Sequence, residues 1–162
     1  RNKVMINVMK NNSFKTVPIN DTDICNDSDT TVTLANTLIE KGSWDEAYPQ
    51  LKAAVEMNPN YAQGYNRLGI YYLRNKKYIE AINNFKKALQ TDFDLTEAHY
   101  NLASLYMERK EYTKALSHFK VVILAKPDDY ETYYFIGLCH VHLGLEKEAE
   151  AFFAIHDRSI TC

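Results

Sequence analysis

Cys139, His140 and His142 stand together as a Cys-His-x-His cluster. Thiolates and imidazoles are the donors that zinc takes, and on a helix residues 139 and 142 would share a face. Structural zinc takes four such donors, however, and no second pair lies nearby in the sequence. Cys25, Cys139 and Cys162 are odd in number and widely spaced, so they form no disulfide framework and point to a reduced, cytoplasmic setting. No Gly-rich phosphate loop, H-E-x-x-H pair or nucleophile elbow occurs. The five histidines and the many carboxylates each fit a repeat slot or a solvated face. The expectation is therefore a chain with no catalytic residue, no metal and no cofactor, and not an enzyme.

The elements that would carry these residues announce themselves by repetition. Ala47, Ala81, Ala115 and Ala149 recur at a step of 34. Leu34, Leu68, Leu102 and Ile136 keep the same step, as do Leu51, Phe85, Phe119 and Phe153. A fourth series holds only small residues: Ala35, Gly69, Ala103 and Gly137. Self-similarity at such a period is the mark of a solenoid. Within a period, apolar residues recur at helical spacing, and breakers divide it in two: Lys41-Gly42-Ser43, Asn75-Lys76-Lys77, Arg109-Lys110-Glu111 and Gly144. The pattern predicts helix pairs at 29–41/44–57, 62–75/78–91, 96–109/112–125 and 130–143/146–158. Ser43 with Glu46 reads as a capping box, and Asp128 with Glu131 as a similar start signal. Pro49 falls past the first turn of its helix, where a local kink is expected. The small residues of the first helix are expected to face the alanines of the second, so that the two helices approach closely.

These residues resemble the tetratricopeptide repeat (TPR), whose pattern is W-x2-L-G-x2-Y, then A-x3-F, then A and P. The match runs through Tyr65, Leu68, Gly69, Tyr72, Ala81, Phe85 and Ala88, and again through His99, Leu102, Ala103, Tyr106, Ala115, Phe119 and Pro127. It covers residues 28–158, with Thr31, Phe93, His140 and His156 as departures. The resemblance implies an all-α fold, a right-handed superhelical solenoid of four helix-turn-helix tetratricopeptide repeats at 28–61, 62–95, 96–129 and 130–162, after an extended arm or linker at 1–27. The LCHVHLG stretch, 138–144, also resembles the last repeat of the chaperones that hold type III secretion translocators, which have three repeats.

In this family the first helix of each repeat lines a concave groove that binds a peptide or helix of a partner protein. The resemblance places Asn36, Asn66, Arg67, Arg74, Glu97, Tyr100, Asn101, Ser104, Glu108, Glu131, Tyr134 and Phe135 in that groove, with Gln63, Ile70 and His142 among their neighbours. One TPR subclass clamps a terminal carboxylate with lysine, asparagine and arginine. Here Val32, Arg67, Glu97 and Asn101 occupy four of those five slots and only Asn36 agrees, so that clamp is absent. Acids outnumber bases in the groove slots, which predicts a protein or peptide partner that is neutral to basic and partly apolar. A targeting or scaffold module of a larger enzyme or secretion complex, chaperone-like roles included, is the alternative.

Net charge is −2, with no nucleic-acid footprint, and no apolar run is long enough for membrane insertion. With Arg1 in first place, the sequence is expected to be a processed or partial chain. The first 20 residues carry four bases and no acid, which suggests an arm resting on an acidic groove. Glu150 and Asp157 replace apolar residues of earlier repeats, so the fourth unit is expected to end the array with that face in water. Phe152, where earlier repeats hold Gln50, Asn84 and His118, is then expected beneath the tail after Arg158 or in a subunit contact.

Overall fold

A computed structural model describes residues 5–10, 13–18 and 28–158, divided into two compact units, Arg1–Asn58 and Pro59–Cys162. In the first unit, β1 (Met5–Lys10) and β2 (Ser13–Pro18) pair antiparallel, with Met5 opposite Pro18 and Lys10 opposite Ser13. These residues belong to the segment expected as an extended arm. Its Ile, Val, Thr and Phe content suits strand backbone, and pairing satisfies the extended chain's amides. The expected docking of this arm on an acidic groove concerns side chains outside the described residues.

Among the described residues eight helices follow, and the fold class is all-α, as the repeat pattern implies. The first unit holds α1 (Ser28–Glu40) and α2 (Trp44–Met57). The second holds α3 (Ala62–Arg74), α4 (Tyr78–Thr91), α5 (Thr96–Glu108), α6 (Tyr112–Ala125), α7 (Tyr130–His142) and α8 (Glu146–Arg158). Every boundary lies within one residue of the expected one.

The breakers act through one device repeated four times. Gly42, Lys76, Lys110 and Gly144 all have positive φ, between 58° and 78°. Each donates its amide three residues back, and the next residue donates five back: Lys110 to Met107 at 2.9 Å and Glu111 to Tyr106 at 2.8 Å. This is the Schellman closure, which leaves the last carbonyls of a first helix satisfied. Glycine adopts that backbone freely, whereas a lysine's Cβ crowds the following carbonyl oxygen. Lys110→Gly should therefore raise unfolding stability by roughly 0.5–1 kcal/mol, with Lys76→Gly similar. Urea melts of the single and double variants check it; unchanged midpoints would refute it.

Two capping expectations need correction. Ser43 precedes α2, but its ψ of 62° is not the extended ψ of a capping serine, and its side chain makes no capping bond. At α7 the cap is Asp129, not Asp128: its carboxylate accepts the Thr132 amide at 3.4 Å and hydroxyl at 2.9 Å. Pro49 is exposed within α2, and the helix continues past it to Met57.

The core follows the repeat register. Ala47, Ala81, Ala115, Ala149, Leu51, Phe85 and Phe119 are buried. A Cβ built on Gly69 would come within 2.5 Å of the Phe85 ring, and one on Gly137 within 2.5 Å of Phe153. The small slot of the first helix thus makes room for the phenylalanine of the second. Leu34 departs from its series, being 41% exposed while Leu68, Leu102 and Ile136 are buried. Among the described residues no helix precedes α1 to cover it. At the other end Glu150 and Asp157 are exposed, whereas Leu116 and Ile123 at the equivalent slots pack on the core. Phe152 is half-buried by residues of its own repeat: its ring lies 6.4 Å from Tyr133 and 5.1 Å edge-on to His140. The tail that was expected to cover it lies outside the described residues.

Candidate functional site

The first helices of the second unit carry a polar ladder. Asn66, only 1% exposed, accepts the Asn101 amide at 3.0 Å and directs its own amide toward Glu97 at 3.5 Å and Gln63 at 3.4 Å. Gln63 donates to the same Glu97 oxygen at 2.8 Å. Residues 66 and 101 lie 35 apart, close to one repeat period, which brings the first helices α3 and α5 together at this point. Asn66 is therefore a buried tie between two repeats and not an accessible groove contact. Burying its amide without those partners would cost about 1–3 kcal/mol, which explains why the ladder is closed.

Beside the ladder opens a cleft of about 420 Å³ lined by Ile70 of α3, Thr96, Glu97, Tyr100 and Asn101 of α5, Val122 of α6, and Lys126, Asp129 and Glu131 around the start of α7. Three acidic residues and one lysine thus line it. Its walls are apolar at Ile70 and Val122 and aromatic at Tyr100. Burial, followed by the negative field of Glu131 and Asp129, holds the Tyr100 phenol above its usual range, so it stays a hydrogen-bond donor. Its ring is braced edge-on by Phe119 and Phe135 at 5.9 and 6.3 Å.

Of the groove residues expected from sequence, the cleft brings together Glu97, Tyr100, Asn101 and Glu131. Ser104 is half-buried one turn along, its hydroxyl on the Tyr100 carbonyl at 2.9 Å. Arg74 and Glu108 are exposed at the far ends of α3 and α5 and do not line it. Arg67 is half-buried, with its Nε unpartnered among the described residues. Phe135 stacks on Phe119 at 5.7 Å and belongs mainly to the core, and Tyr134 packs on Phe153 and His156. Asn36 lies half-buried on α1, in the other unit. Sequence reasoning missed Thr96, Val122, Lys126 and Asp129, which come from helix ends and a second helix. Asp129 did carry a signal, since an Asp before an apolar run often caps a helix.

Of the histidines, His99 and His140 occupy interior slots. Cys139 and His140 are buried, whereas His142 is exposed and stacks on Tyr112 at 4.4 Å. Burial pushes the Cys139 thiol up to about 11. Among the described residues no three His, Cys, Asp or Glu side chains are placed to hold a metal ion. His99, 2% exposed, bridges the Phe93 carbonyl through Nε2 at 2.8 Å and His118 Nδ1 through its own Nδ1 at 2.9 Å. A carbonyl only accepts, so His99 carries its proton on Nε2, and His118 donates from Nδ1. Burial first, then His99 and Lys86, lower His118 to about 4.

No helix among the described residues is long and apolar enough to cross a membrane. The model of the tetratricopeptide repeat protein 21 C-terminal ARM domain matches residues 7–132. No curated protein matches the chain. Among solved structures, a crystal structure of MamA protein is 27% identical, with a TM-score of 0.75 over 83% of this chain and 73% of that one. A second MamA crystal structure is 26% identical, with a TM-score of 0.77 over 85% and 80%. MamA from residue 41 to its end, from Desulfovibrio magneticus RS-1, is 22% identical at a TM-score of 0.73 over 80% and 73%, a likeness of fold alone.

Proposed function

The chain belongs to the tetratricopeptide repeat protein 21 C-terminal ARM domain family, and from that premise we propose that it captures a short, neutral-to-basic and partly apolar segment of a partner protein on the face built by α3, α5 and α7. A repeat fold of this class is in general a protein-interaction module, since stacked repeats present an extended binding surface. The observation that carries the finer reading is the cleft beside Tyr100, where apolar walls meet three carboxylates and one lysine. Such a surface attracts cations and repels acidic chain ends. The module is non-catalytic in this reading, and its four repeats follow an N-terminal segment at 1–27. A reducing, cytoplasmic setting suits the buried free thiol of Cys139.

A second reading, a targeting or scaffold module within a larger enzyme or secretion complex, is favoured by the family description as a C-terminal domain of a longer protein. The two readings share one surface and differ in what lies beyond it.

Titration of matched peptides tests the binding reading. Peptides with a basic and apolar core should bind with affinity that falls as salt rises, because the attraction is partly Coulombic. Preference for peptides ending in acidic residues would overturn it.

A further inference from the structure

We propose that the Tyr100 cleft is a receptor for a single arginine side chain presented by an extended partner segment. This deepens the binding reading and rests on it. Glu97 of α5 and Glu131 of α7 come to one cleft from two different helices, and Asp129, whose carboxylate caps α7 through Thr132, adds negative charge beside them. One Glu97 oxygen is held by Gln63 and Asn66, which leaves the other for a ligand. Glu131 is exposed and makes no ion pair with any described residue. The single lysine in the lining, Lys126, leaves the acids in excess, so the complementary occupant is cationic.

Three features select arginine among cations. A planar guanidinium has five donors in a fixed fork, enough to reach carboxylates on two helices at once, whereas an ammonium acts as a point charge. The Tyr100 ring, held in edge-on contact with Phe119 and Phe135, offers a fixed aromatic group to a flat cation. Ile70 and Val122 give the apolar stem of the side chain something to lie on. The cleft volume of about 420 Å³ falls within the range of roughly 300–1,000 Å³ typical of specific ligand sites. A bare metal ion is the poorer occupant, because no three ligating side chains among the described residues converge on one point.

The experiment is selection of random heptapeptides displayed on phage against the whole chain. Enriched peptides are then resynthesised and titrated against the wild type, E131Q, E97Q/E131Q and I70R. The expected result is a shared arginine in the enriched set. Affinity should fall roughly tenfold or more in E97Q/E131Q, or when citrulline replaces that arginine, and should vanish in I70R. Helical circular dichroism verifies the fold of each variant. E131Q, at an exposed residue outside the ladder, keeps the test decisive if E97Q disturbs it, with a loss of at least about threefold expected. Peptides lost in I70R but lacking a shared arginine, or indifferent to both glutamate variants, would overturn the arginine site and leave the binding face standing. Peptides indifferent to I70R, or no enrichment at all, would overturn both.

Discussion

Replacing Ala115 with leucine is expected to lower unfolding stability by about 1–3 kcal/mol, with Ala81→Leu comparable. Both alanines are buried in the shared core of the second unit, with Phe119 and Phe85 one turn along the same helices. Three added heavy atoms must enter a site that is 0% exposed. Either the phenylalanine leaves its rotamer or the two helices of the repeat move apart. Since Phe85 already fills the space over Gly69, the second outcome also opens the neighbouring small slot. Urea unfolding followed by circular dichroism reads the loss. Retained midpoints in both variants would mean that these helix faces do not meet as described. Ala115→Ser, nearly equal in volume, should cost much less than Ala115→Leu, which separates overpacking from a general intolerance at the site.

Acidification should destabilise the third repeat through His118. Its folded pKa is depressed to about 4 from an ordinary value of 6.5, by burial first and then by His99 and Lys86. Above pH 6.5 the ring is neutral in both the folded and unfolded chain, and its contribution is constant. Between pH 6.5 and 4 the unfolded chain binds a proton that the folded one refuses, so stability falls as pH falls through that window and levels off below it. At 1.36 kcal/mol for each tenfold change the shift sets a ceiling of about 3 kcal/mol, and solvent around the partly exposed ring trims the expected loss to about 2. His118→Gln, the residue type held at Gln50 in the equivalent slot, removes this proton. Between pH 7 and pH 4.5 the wild type should lose about 2 kcal/mol more than the variant. Parallel stability curves would refute the assignment. His140, lowered by burial and by Lys120 against the opposing pull of Glu148, acts in the same direction and is unaffected by the substitution.

Much of the molecule is decided within one repeat's length of sequence. The 34-residue step, the breakers and the helical spacing determine eight helix spans to within a residue, because each helix is closed by local hydrogen bonds between residues three to five apart. The left-handed slot at residues 42, 76, 110 and 144 is equally local. The small and aromatic series identify the core for the same reason: a strict period places equivalent residues in equivalent surroundings. The acidic character of the groove slots could likewise be read from their residue types alone.

Tertiary structure decided what depends on partners outside the repeat's own pattern. Asn66 looks like a groove residue by register, yet Asn101, 35 residues away, and Glu97 turn it inward as a tie between helices. His99 and His118 each fill ordinary slots, and only the packing of α5 on α6 sets their Nδ1 atoms 2.9 Å apart. Phe135 counts as groove by position but stacks on Phe119. The cleft combines Ile70, Tyr100, Val122 and Glu131 from four helices, and no periodicity marks that combination. Side-chain hydrogen bonds and clefts depend on where non-equivalent residues of adjacent helices meet. That is a property of the three-dimensional packing and not of the repeat, which specifies only what recurs.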